Sequence, residues 1–307
     1  MTFPDQAQGQ PIRPGPSWIA AVLLILGYGQ YLTVPAHAHG ALHEQLVEVS
    51  AQLAAHPDDF DLLLRRGELQ RLHGSWAESR ADFEHARTLR TTDIEPGFRL
   101  GRLELDAGNP ITAARWLEAA VAERPHHIEA NLLLARAWVG QGKPGKSIPC
   151  FNTAIHWSRQ PRPEWFVERS KAVLAAAPDS KEATRMALAS LDEGLELVGP
   201  VPTLQLAAIE LEVRLGRTDA AVKRVDAIRE VSERKEQWWF RRGILLEEAG
   251  RRTEAATAFH SAVDAIERLP DRLQRTLGMV ELRRDLEKHL RSPSSPPTPP
   301  PAPDTHP

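Results

Sequence analysis

The feature that most constrains this chain is a period of 34 residues. Gly67 and Gly101 stand 34 apart, and Gly74, Gly108 and Gly142 repeat the step. Phe83, Leu117 and Phe151 keep it, as do Ala86, Ala120 and Ala154, and Ser79, Ala113 and Ser147. Further along, Gly216 and Gly250, Ala221 and Ala255, and Val225 and Phe259 are spaced alike. So many coincidences at one spacing are the mark of a stacked repeat, in which one supersecondary unit recurs and buries its apolar face only against its neighbours. From Gly142 to Gly216 is two periods plus six. The turn-forming run Ala177-Pro178-Asp179-Ser180-Lys181 is where the six extra residues are expected.

Within each period the pattern predicts two helices of about 12–14 residues. Phe98–Leu105 reads as the first helix of one unit and ends near Gly108, a residue suited to a left-handed C-cap. Thr112–Glu123 reads as the second helix, stopped by Pro125. Small residues fall where the two helices cross, letting the axes approach to the short end of the ~8–10 Å range. The apolar share of 42% contains only 6% aromatics, which suits helices packed through Ala and Leu.

The body resembles the tetratricopeptide repeat proteins. Gly101, Ala113, Leu117, Ala120 and Pro125 carry that family's small-small-aromatic-Ala-Pro pattern, with Leu117 at the aromatic place. Ala135, Ser147, Phe151 and Ala154 carry it again, as do Gly243, Ala255, Phe259 and Ala262. Two positions depart: Arg66 stands where the family places an apolar residue, and the fourth unit lacks a glycine at its first-helix crossing. The resemblance implies an all-α fold, a right-handed α-solenoid of about six such helix pairs. Five are placed at about 60–91, 94–125, 128–159, 202–231 and 236–266, with a degenerate pair at about 163–197. Leu42–Ala55 is expected to cap the first pair. After Pro270, the spacing of Leu273, Leu277, Val280, Leu286 and Leu290 predicts an amphipathic helix that caps the last.

The ends read differently. Trp18–Leu26 is apolar, follows Arg13, and precedes Ala36-His37-Ala38. That order is a secretory signal with cleavage near Ala38, and a retained inner-membrane anchor is the competing reading. Glycines, Gln30, Thr33 and Pro35 break the run short of the roughly 20 apolar residues a span needs. Three segments follow: 1–38 as signal, 39–291 as repeat domain, and 292–307 as a Pro-rich, solvated tail holding eight of the 25 prolines. The expected location is periplasmic or secreted, without membrane contact once the signal is removed.

Chemistry is sparse. One cysteine excludes an internal disulfide framework and any CxxC site. A net charge of −3 offers no basic footprint for nucleic acid. No phosphate loop, nucleophile elbow or paired-histidine motif occurs, so no catalytic residue and no cofactor is expected. Cys150 reads as a small apolar side chain. His39 and His43 are weak candidates for a metal, as His39 would open the mature chain. A periplasmic metal-handling protein is therefore one functional reading, and a membrane-anchored adaptor another.

The leading reading is an exported scaffold that binds a protein or peptide. Three places before each crossing position stand Leu64, Phe98, Leu132, Phe166, Leu206 and Phe240. By the resemblance, this position points into the concave face of the array. Arg102 and Arg136 lie one helical turn further on. As a groove, the ladder supplies apolar anchors and the arginines meet acidic groups or a C-terminal carboxylate. As core, the same ladder packs between neighbouring repeats.

Overall fold

The computed structural model describes residues 36–291, with side chains from Gly40 onward. The signal-like run and the Pro-rich tail lie outside the described residues, except that Ala36–Ala38 belong to the first turn of the first helix. The chain divides into two compact units, Met1–Leu89 and Arg90–Pro307. All regular structure among the described residues is helical.

The first unit holds α1 (Ala36–Ala55), α2 (Phe60–His73) and α3 (Trp76–Leu89). Asp59 starts α2 by accepting a hydrogen bond from the Leu62 N–H at 3.0 Å, one of the donors a helix start leaves unpaired. Val49 and Leu53 on α1 and Phe60, Leu63 and Leu64 on α2 are buried, with Phe83 and Ala86 on α3. A Cβ on Gly67 would lie 2.5 Å from the Phe83 ring, so only glycine admits this crossing. Ser79 ties the same crossing by donating its hydroxyl to the Gly67 carbonyl at 2.7 Å. Arg66 explains its own departure from the repeat pattern: its guanidinium forks onto buried Asp82 of α3 at 2.7 and 2.6 Å.

The second unit repeats the pairing. Its pairs are α4 (Glu95–Asp106) with α5 (Pro110–Glu123), and α6 (Ile128–Gly140) with α7 (Pro144–Trp157). Next come α8 (Pro163–Ala176) with α9 (Lys181–Val198), α10 (Pro202–Arg214) with α11 (Thr218–Val231), and α12 (Glu236–Glu248) with α13 (Arg252–Glu267). These bounds agree with the units expected from sequence. Prolines stand in the first turns of α4, α5, α7, α8 and α10, where their missing N–H costs no helical bond. The turn inside four of the five pairs in this unit bends at a glycine with φ between 70 and 79°, Gly142 among them. Every second helix packs on its partner and on the first helix that follows; α4 also touches α6, and α8 touches α10. First helices thus form a continuous face, and second helices stand behind it.

The fourth pair differs from the expectation. The turn between α8 and α9 is short, spanning 177–180, and Ser180 caps α9 by accepting from the Ala183 N–H at 3.1 Å. Most of the inserted length lies in α9, which has 18 residues where the second helices α5, α7 and α11 have 14. The crossing is also inverted. Glycine sits on the second helix, Gly194, against Phe166 on the first, where a Cβ would meet the ring at 2.8 Å.

The C-terminal end is α14 (Asp271–Gln274) and α15 (Leu277–Arg291). The buried stripe of α15 is Met279, Leu282 and Leu286. Leu277 and Val280, expected on that stripe, are exposed, because the chain turns at Arg275 and starts a new helix in a different phase. α15 packs on α13. Arg234, just before α12, donates to the Met279 Sδ, and Glu247 near the end of α12 meets His289 at 2.6 Å. The helix therefore runs parallel to α12 and occupies the place of a seventh first helix.

Candidate functional site

The six ladder residues do not line an open groove. Leu64, Phe98 and Leu132 are 5–7% exposed and Phe166 is fully buried, while Leu206 and Phe240 are half-buried. The reason is the stacking neighbour. Phe98 on α4 is covered by His127, whose ring lies 5.0 Å away. His127 is held there as the N-cap of α6, accepting from the Ala130 N–H. Phe240 on α12 is covered by His289 of α15 at 5.7 Å. Helix periodicity places Phe98 and Phe240 on the same side of their helices, but the helix that follows each in the stack lays a histidine against it. Leu64, Phe98, Leu132 and Phe166 are therefore core, corresponding to roughly 1.5–3 kcal/mol per fully buried side chain, and are not accessible anchors, while Leu206 and Phe240 keep part of their surface.

The arginines are where the helical turn puts them, and they are not alone. Arg102 on α4 meets Glu129 on α6, Nη1 to Oε1 at 3.3 Å. Arg136 on α6 forks onto Glu168 on α8, with Nε and Nη2 donating at 2.8 and 2.9 Å. That fork holds the Arg136 guanidinium more firmly protonated than usual, aided by Glu129. Both pairs join first helices of neighbouring units.

The alternation continues with Lys171 on α8, Glu210 on α10 and Arg241 on α12. Burial pushes the Glu210 carboxyl up, and Arg241 and Lys171 pull it back. Burial also pushes Arg241 down from the usual guanidinium range, with Glu210 opposing. Five consecutive first helices thus carry charges that alternate in sign. Sequence reasoning missed Glu129, Glu168 and Glu210. Glu168 and Glu210 lie 32 and 31 residues from Arg136 and Arg241, close to one period, and Glu129 lies 27 from Arg102, so charge was a signal that went unread beside the apolar one.

Arg169 was also missed. It stands one period after Ala135, at a crossing position held by Gly67, Gly101 and Gly243 in other pairs. Its guanidinium is buried. Nε donates to Ser190 Oγ at 2.7 Å, Nη1 to Asn152 Oδ1 at 3.0 Å, and Nη2 to the Glu193 carboxylate.

The weaker candidates are placed as follows. His43 is exposed on α1, and the His39 side chain lies outside the described residues. Among the described residues no three His, Cys, Asp or Glu converge to hold a metal. Cys150 is half-buried, and burial, reinforced by Glu118, pushes its thiol up. No described helix is long and apolar enough to cross a membrane.

The tetratricopeptide repeat family matches at residues 104–166 and again at 206–270. Among curated proteins, none matches the sequence. Of solved structures, the C-terminal part of a TPR repeat-containing protein from Cytophaga hutchinsonii superposes with a TM-score of 0.60 at 13% identity. That match covers 80% of this chain and 95% of the other. MamA from Desulfovibrio magneticus RS-1 gives 0.46 at 19% identity, over 58% and 90% of the two chains. YrrB, described as a TPR protein with an unusual peptide-binding site, gives 0.48 at 14% identity, over 67% and 97%. Paired helices with small-residue crossings, two family matches and the Cytophaga fold lead to one assignment: the chain carries tetratricopeptide repeats, at 104–166 and 206–270, within an all-α repeat fold.

Proposed function

We propose that the protein is an exported, non-catalytic scaffold whose first-helix face in residues 90–291 binds a segment of a partner protein. One observation carries this reading. The groups that this face offers to a partner are charges of both signs, arranged in pairs that bridge one first helix to the next. An exposed ion pair is worth only about 0–1 kcal/mol. A partner carboxylate that replaces Glu129 or Glu168 on Arg102 or Arg136 therefore gives up little on the scaffold side and gains a charge-assisted bond. The apolar ladder beneath keeps the helices in register, so the charges are presented at fixed spacing. Export rests on the order of Arg13, Trp18–Leu26 and Ala36-His37-Ala38.

The test is crosslinking of the full chain in a bacterial host, with co-purified proteins identified by mass spectrometry. A partner captured by wild type and lost with Arg102→Glu plus Arg136→Glu supports the reading. Unchanged capture by the folded double variant retires it. For export, the product should begin near His39, and recovery of intact Met1 in membranes would favour the inner-membrane anchor.

A further inference from the structure

The second-helix side carries a feature independent of that face. Between α7 and α9 lies a cleft of about 570 Å³. Its lining includes Asn152, His156, Arg159, Arg169, Glu193 and Leu197. Two departures from the repeat build it. Arg169 replaces the small crossing residue and extends between α8 and α9 until it reaches Asn152 on α7. The lengthened α9 then supplies the far wall, with Leu197 left 58% exposed at the rim.

The charge in the cleft is unbalanced. Glu193 is the only carboxylate of the lining, and it is committed to Arg169. Arg159 is exposed and has no ion pair among the described residues, and His156 lies beside it. Arg169 spends Nε on Ser190 and one Nη1 hydrogen on Asn152, leaving a second Nη1 hydrogen without a protein acceptor. A buried guanidinium is costly to desolvate and is held here by a network rather than by packing alone. Next to these donors are apolar surfaces, with Ile155 as floor and Leu197 as rim.

We propose that this cleft binds a peptide carboxylate with an adjoining aliphatic side chain. The carboxylate lies between Arg159 and Arg169, and the aliphatic group lies against Ile155 and Leu197. A chain end terminating in leucine supplies both groups, and an internal Asp-Leu step supplies the same chemistry.

The experiment is calorimetry and NMR titration of the full chain with three probes. These are acetyl-Gly-Ser-Gly-Ser-Leu with a free carboxylate, its C-terminal amide, and acetyl-Gly-Ser-Asp-Leu-Gly amide. The free-carboxylate probe is expected to bind at least about tenfold more tightly than its amide, a difference of about 1.4 kcal/mol. Binding by the internal Asp-Leu probe at comparable strength assigns the site to acidic side chains; its absence assigns it to chain ends. Arg159→Ala and Leu197→Ser replace exposed residues, so both variants should keep the wild-type helical signal, and each should weaken binding severalfold. Arg136→Ala, on the other face, should not. Equal binding of acid and amide, no binding of either carboxylate probe, or binding unchanged in Arg159→Ala would each overturn the proposal. So would inorganic phosphate competing as strongly as the peptide.

Discussion

Two glycines on α4, four residues apart, give a matched test of the crossing geometry. A Cβ on Gly101 would lie 2.6 Å from Leu117 Cγ and 2.9 Å from its Cδ2. The nearest atom to a Cβ on Gly97 is on Trp116, at an ordinary 3.8 Å. Both positions gain helix propensity from alanine, roughly 0.5–1 kcal/mol in a helix interior. Only Gly101 meets an obstacle, and the obstacle is a branch carbon of a fully buried leucine that has no space to retreat into. Overpacking of that kind costs about 1–3 kcal/mol. Gly97→Ala should therefore raise the urea midpoint slightly, whereas Gly101→Ala should lower stability by about 1 kcal/mol net of propensity. Unfolding followed by circular dichroism, with m-values compared to confirm a common transition, reads the difference. Combining Gly101→Ala with Leu117→Ala should cost less than the two single changes added, because the clash disappears with the leucine. If Gly101→Ala stabilises as much as Gly97→Ala, the helices do not cross where the structure places them.

Other expectations follow from single contacts. Arg66→Ala strips buried Asp82 of its partner and should cost about 3 kcal/mol, the lower part of the range for a broken buried pair because Arg66 is itself partly exposed. Arg66→Leu with Asp82→Leu should recover most of that loss, and failure to recover would mean the pair is not buried as described. Phe98→Ala should cost about 3–5 kcal/mol as a core deletion, and a near-neutral result in the same urea assay would return Phe98 to an open groove. Cys150, with its thiol pushed up by burial, should react with iodoacetamide at pH 8 more slowly in the folded than in the urea-unfolded chain. Equal rates would remove the burial argument.

The fold was legible because a repeat states its packing rule several times. Gly67, Gly101 and Gly243 each predict an aromatic or leucine 16 residues later, and the structure puts each pair in contact. The capping helix was legible in existence but not in phase, since α14 breaks the helical count before Leu277. The site was less legible. Helical spacing shows which face of α4 holds Phe98, but not that His127 of the next helix covers it. Burial in a stacked array is decided by the neighbour, and no single period contains that neighbour. Arg169 was hidden for a related reason: its partners Asn152, Ser190 and Glu193 are 17, 21 and 24 residues away, on two different helices.

The position of α15 has a consequence for assembly. A helix standing where a seventh unit would begin acts as a stopper, with Met279, Leu282 and Leu286 turned inward and Glu281, Arg284, Glu287 and Lys288 turned to water. Without it, the surface of α13 that receives these side chains would be bare. That surface is shaped to accept a first helix. The first repeat helix of another copy is already covered by its own α1, so the surface left to meet it is the equally bare α13 face of a second copy. Such a contact pairs the same patch on both copies and closes with two of them. A chain ending at Leu269 should therefore form dimers as its concentration rises, read by light scattering against the full chain.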